Sequence, residues 1–94
     1  MATKITYEPD EQRSAAYLDD KNVGECCYIP KHEVWTIVHT YVRPEFNGQG
    51  IATELVAELV RQARSKNVKI VPQCVFALKE FTEKPEYADV LYRH

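Results

Sequence analysis

Nowhere in the 94 residues does an unbroken apolar run reach the roughly 18 residues of a membrane helix, so no helix of this chain is expected to span a bilayer. Cysteine is scarce. Three occur, an odd number with Cys26 and Cys27 adjacent, which argues against the disulfide framework of a small secreted protein. No Cys/His spacing suggests zinc, and no metal is expected. The segment Met1-Ala2-Thr3-Lys4 lacks the apolar core of a signal peptide, so residence in the cytoplasm is expected. Basic charge is not in excess: the net charge is −2, and Lys66, Lys69, Lys79 and Lys84 are scattered rather than interleaved with aromatics, which argues against nucleic acid as a partner. Repeats, low-complexity tracts and linkers are absent as well. What is present suffices for a core, since hydrophobic residues make up 45% and charged residues 28% of a chain long enough for one domain, 1–94, and not two.

The apolar spacing predicts strands first. Lys4 to Glu8 alternates and closes at Pro9-Asp10, Ser14 to Leu18 forms a second strand, and Asp19-Asp20-Lys21-Asn22 supplies a hairpin turn into a third, Val23 to Ile29. Within that third strand, neighbours point to opposite faces, so one of Cys26 and Cys27 should be buried and the other half exposed. Glu33 to Val42 is the strongest strand. A count of two puts Val34, Thr36, Val38, Thr40 and Val42 on one face and Trp35, Ile37, His39 and Tyr41 on the other. Both faces are largely apolar, which predicts a central strand covered on both sides. Together the four segments read as an antiparallel meander.

Helical spacing then takes over. Ile51, Ala52, Leu55, Val56, Leu59, Val60 and Ala63 mark one buried face of a helix from Gln49 to Lys66, with Asn67 as its left-handed cap. A short β-branched strand, Val68 to Val71, stops at Pro72. Reached through a crossover helix, it should lie parallel to the fourth strand. Val75 to Thr82 is predicted helical with Val75, Leu78 and Phe81 inward and Phe76 as a further inward candidate, and Pro85 opens a final helix that buries Tyr87, Val90 and Leu91. The fold class is α/β (α+β).

The stretch Val42 to Ala52 joins the strongest strand to the strongest helix, and it holds two of the three glycines, Gly48 and Gly50. A helix start carries unpaired backbone N–H groups and a partial positive charge. Stripping side chains from it lets an anion approach the main chain, so this corner is a candidate phosphate seat. Turn formation and close packing are the competing explanations for the same glycines.

Four antiparallel strands, a glycine-marked loop, one long helix and a parallel fifth strand resemble the core of GNAT-type N-acetyltransferases. Their motif Arg/Gln-x-x-Gly-x-Gly/Ala is matched by Asn47-Gly48-Gln49-Gly50-Ile51-Ala52, where Gly50 and Ala52 fill the small positions and Asn47 departs from Arg or Gln. An asparagine amide still donates, but it is shorter and uncharged. The text Val38-His39-Thr40-Tyr41-Val42, then Phe46-x-Gly-x-Gly, then Ile70-Val71-Pro72-Gln73-Cys74, with the tail Pro85 to Leu91, is similar to the shortest branch of that family, bacterial YidJ-like proteins and a small plant acetyltransferase.

The resemblance implies a minimal GNAT-like fold with acetyl-CoA as cosubstrate and an amine on a small molecule or protein as acceptor. It implies that His39, Thr40, Tyr41 and Val42 offer a free strand edge to the pantetheine arm, as in β-augmentation. Asn47, Gly48, Gln49, Gly50, Ile51 and Ala52 would hold the pyrophosphate, with Arg43, Lys79 and Lys84 as charged neighbours. In the short branch a cysteine in this Pro-x-Cys setting is the suspected catalytic residue, so Cys74 is the candidate nucleophile, acid or base. His39 is the other catalytic candidate, as a proton relay, provided it faces the cleft. A buried strand-end cysteine and a satisfied core histidine are the plainer readings. A coenzyme A-binding module without catalysis, or a protein-interaction module, is the alternative function. The acceptor's identity and the oligomeric state are left open.

Overall fold

Strands that follow one another in sequence pair with one another in space. The computed structural model describes residues 3–93. It contains β1 (Lys4–Glu8), β2 (Arg13–Leu18), β3 (Lys21–Lys31), β4 (Val34–Val42), α1 (Ile51–Lys66), β5 (Lys69–Pro72) and α2 (Val75–Glu83), with 3-10 turns at Pro9–Glu11, Pro44–Phe46 and Pro85–Val90. The sheet runs β1-β2-β3-β4-β5; the first four strands are antiparallel, and β5 returns through α1 to lie parallel to β4. The α/β class and the crossover are as expected from sequence. The last segment is a 3-10 turn rather than an α-helix; it buries Tyr87 and Val90, and Leu91 beyond it bridges to Ile70.

One helix supplies the main packing face. Ile51, Leu55, Val56, Leu59, Val60 and Ala63 of α1 are buried, as the spacing predicted, while Ala52, expected with them, is only half-buried. They meet Ala16, Val23, Cys26, Ile37 and Ile70 from the sheet. The Ser14 hydroxyl donates to the Leu55 carbonyl at 2.8 Å, so this fully buried polar group is satisfied and ties β2 to the helix. Tyr28 and Trp35 stack at 4.2 Å on the same face, and Tyr7 lies beside them under Lys66 of α1. Asn67 caps α1 at φ 61°, the left-handed conformation assigned to it.

Two sequence expectations are corrected here. Along β4 and β3 the partners step from Cys27↔His39 to Tyr28↔Ile37, leaving Val38 unpaired in a β-bulge. One extra residue flips the alternation beyond it. Trp35, Ile37, Thr40 and Val42 therefore share the α1 face, whereas His39 and Tyr41 turn to the opposite face with Cys27. That opposite face is open: the His39 side chain is 51% exposed, and Tyr41 and Ile29 are exposed too, so β4 is not covered on both sides. On α2, Val75 and Leu78 point outward and the buried positions are Ala77, Glu80 and Phe81. The buried Glu80 carboxylate accepts from Lys84 at 2.8 Å and from Thr53 at 3.4 Å, and this pairing allows a charge on the inner face.

An acid-sensitive lock joins the outer strands. Glu8 accepts from Tyr17 at 2.5 Å and from Arg13 at 2.8 Å, and Arg13 also reaches Glu25 at 2.8 Å. The Tyr17 hydroxyl first, and Arg13 with it, hold the Glu8 carboxyl below the usual carboxylate range. A lowered folded value stabilises the fold above the unfolded carboxylate pKa of about 4.3, and the contribution is lost as pH falls through the lowered value. Glu8→Gln is thus expected to flatten the acid limb of melting temperature against pH below about pH 5. Circular dichroism melts at stepped pH check this; superimposable acid limbs for variant and parent would refute it.

Candidate functional site

The parallel pairing of β4 with β5 begins at Val34↔Lys69 and ends at Ile37↔Pro72. There the chain turns away from the sheet, and the N–H groups of Gln73 and Cys74 both donate to the Ile37 carbonyl at 3.1 Å. Beyond Ile37, β4 continues to Val42 with β3 on one side and, among the described residues, no strand on the other. The Arg43 N–H donates to Val23 of β3 at 2.8 Å. By alternation the main-chain groups of Tyr41 also face β3, and those of Thr40 and Val42 face the vacated side. An edge strand with such groups is able to pair with an extended amide-bearing chain.

A groove of about 510 Å³ opens along that edge, lined by Thr40, Tyr41, Val42, Phe46, Asn47, Gly48, Gly50, Ile51, Ala52, Thr53 and Phe76. Its far end is the start of α1. Gly50 is the N-cap residue at φ 79° and offers no side-chain cap, and Gly48 lies at φ 82°. A Cβ built on either glycine meets nothing within 4 Å. Packing therefore does not require these glycines; their left-handed backbone does, and the space above them is open. The first N–H groups of α1 have no intrahelical acceptor, and residues Ile51, Ala52 and Thr53 that carry them line the groove.

Cys74, the N-cap residue of α2, is not part of that lining and touches it through Thr40. Its sulfur accepts from the Ala77 N–H at 3.3 Å and lies 3.2 Å from the Thr40 hydroxyl oxygen. That hydroxyl is also 3.4 Å from Cys26 Sγ. Burial pushes the Cys26 thiol up to about 12, so it is protonated at neutral pH. On the open face, burial and the Glu25 carboxylate push Cys27 up to about 11.

Of the residues singled out from sequence, Thr40, Tyr41, Val42, Asn47, Gly48, Gly50, Ile51 and Ala52 meet around one groove. Gln49 lies exposed between the glycines and is not part of the lining. His39 is separated from the groove by β4 itself: its Nε2 is 3.3 Å from Glu25, and its ring stacks on Tyr41 across the open face. Cys74 and His39 are thus on opposite faces of the strand. Lys84 is engaged by Glu80 and Arg43 by Glu45 at 3.4 Å, so neither points a spare charge at the groove. Phe46, Thr53 and Phe76 line the groove without having been singled out for it; Thr53 follows Ala52 in the first turn of α1, a position from which it could have been inferred.

A family model described as GCN5-related N-acetyl-transferase matches residues 13–90. No curated protein matches the chain. Among solved structures, a GCN5-like protein from Staphylococcus aureus determined by NMR is 27% identical and superposes with a TM-score of 0.74, covering 97% of this chain and 89% of that one. The PaiA N-acetyltransferase from Thermoplasma acidophilum in complex with coenzyme A is 14% identical, with a TM-score of 0.61 over 76% of this chain and 48% of that one. A GNAT family acetyltransferase from Elizabethkingia anophelis with acetyl-CoA bound is 20% identical, with a TM-score of 0.59 over 78% of this chain and 51% of that one. The last two share the fold, and this chain spans about half their length.

Proposed function

The chain belongs to the GCN5-related N-acetyltransferase family, and on that premise we propose that it moves an acetyl group from acetyl-CoA to an amine on a small molecule or protein. One observation carries the assignment of the cosubstrate: the corner at Gly48 and Gly50 is unfilled and continuous with the unpaired edge of β4. The first N–H groups of α1 would hold the diphosphate, and the main-chain groups of Thr40 and Val42 would pair with the pantetheine amides. Asn47 stands beside the seat as an amide donor. When bound, acetyl-CoA supplies an activated acetyl thioester. This chain's own contribution is to orient that thioester and to present Cys74 Sγ from the α1 side: Sγ would take the acetyl group as the coenzyme A thiol leaves, and the amine would then displace Sγ, with His39, which β4 separates from the groove, able to take the amine's proton only over the open face.

The similar length of the Staphylococcus aureus protein supports placing this chain in the short YidJ-like branch. Three free thiols fit the reducing cytoplasm. The test is mass spectrometry after incubation with acetyl-CoA. We expect a non-covalent complex under native conditions and, after digestion, an acetyl adduct on the peptide containing Cys74. Absence of both overturns the reading. A complex that releases no thiol with any of a panel of amines would instead identify a coenzyme A-binding module.

A further inference from the structure

Thr40 lines the groove with its main chain turned to the vacated edge and its side chain on the α1 face, between two thiols. Its oxygen is 3.4 Å from Cys26 Sγ and 3.2 Å from Cys74 Sγ. A hydroxyl has one proton to give and lone pairs to accept with. The direction of the chain follows from the environments of the two sulfurs. Cys26 is wholly buried, so it keeps its proton and can donate it to the Thr40 oxygen. Cys74 Sγ already accepts from the Ala77 N–H at 3.3 Å, so it is oriented as an acceptor. The proton of Thr40 is then committed to Cys74.

We propose that Thr40 is a positioning residue for Cys74, its hydroxyl donating to Sγ and held in that direction by the buried Cys26 thiol. Two donors, one from the backbone of α2 and one from β4, then fix the sulfur beside Thr40 at the border of the groove. The bulge at Val38 makes this possible: without the extra residue, the Thr40 side chain would share a face with Val34 and Thr36 instead of with Cys26. The inference rests on Cys74 as the nucleophile of the proposed reaction, but its test does not use that reaction.

The measurement is the rate at which iodoacetamide alkylates Cys74 at fixed neutral pH without acetyl-CoA, followed by peptide mass spectrometry so that Cys26 and Cys27 are scored apart. Thr40→Val keeps shape and strand preference but removes the donor. It is expected to slow alkylation of Cys74 on the order of tenfold, the scale of losing one of the two hydrogen bonds that hold its sulfur. Thr40→Ser, which restores a hydroxyl, is expected to return the rate to within about threefold of the parent on the same scale. An unchanged rate in Thr40→Val, or a Ser variant as slow as the Val variant, overturns the proposal. Should Thr40→Val fail to fold, as judged by Trp35 fluorescence, Thr40→Ala against Thr40→Ser gives the same comparison. Acetyl-CoA binding measured on the same variants separates this outcome from failure of the cosubstrate assignment: the proposal fails alone if binding is retained and the alkylation rates do not differ.

Discussion

Gly50→Val is expected to weaken acetyl-CoA binding by about a hundredfold or more, a loss of about 2.7 kcal/mol of binding free energy. Two physical effects act together. Gly50 adopts φ 79°, where a β-branched residue is strained, so the turn ahead of α1 must shift to relieve it. The new side chain would also enter open space, since nothing lies within 4 Å of its Cβ position, and that space is the proposed diphosphate seat. Each lost N–H contact to a charged oxygen is worth about 1.5–3 kcal/mol, so one or two suffice. Gly50→Ala separates the effects: it carries most of the backbone strain and little of the bulk, and is expected to bind less weakly than Gly50→Val. Isothermal titration calorimetry reads both, with a thermal melt to show that α1 still packs through Leu55 and Leu59. Parent-like affinity in the Val variant would remove the glycine corner from the binding site.

The same corner shows what the residue pattern could disclose. Two glycines before an amphipathic run are enough to locate a side-chain-free helix start, because both the left-handed backbone and the buried stripe of α1 are local properties. Pro72 marked the end of β5, and so the place where the two parallel strands part. The bulge was not legible. Every residue from Val34 to Val42 suits a strand and both faces read as apolar, so inserting one residue left no trace in the pattern, yet it reversed the faces of His39 and Thr40. The orientation of α2 was hidden for a different reason. Helical spacing fits Val75, Leu78 and Phe81 as well as it fits Ala77, Glu80 and Phe81. Glu80 is answered locally by Lys84, four residues on, but its place on the inner face goes with the contact to Thr53 of α1 and the packing of Ala77 and Phe81 in the core, which local periodicity does not contain. The Cys26–Thr40–Cys74 chain was hidden likewise, since it joins three elements.

Because the bulge puts Cys74 and His39 on opposite faces of β4, they are expected to respond unequally to removal. Cys74→Ala should lower acetyl transfer by about a hundredfold or more, as expected when a nucleophile is lost and only binding and orientation remain. The affinity for acetyl-CoA should change little, since the proposed contacts to the diphosphate and pantetheine arm come from the main chain of other elements. His39→Gln should cost about tenfold, less than the hundredfold or more typical of an essential base. With its side chain 51% exposed beside Glu25, its place can be taken by solvent. Thiol release with a panel of amines, at saturating acetyl-CoA, measures both. The reverse order, a mild Cys74→Ala and a severe His39→Gln, would mean that the amine attacks the thioester directly from the open face. In that case Cys74 is an N-cap whose sulfur serves α2 through the Ala77 N–H and nothing more.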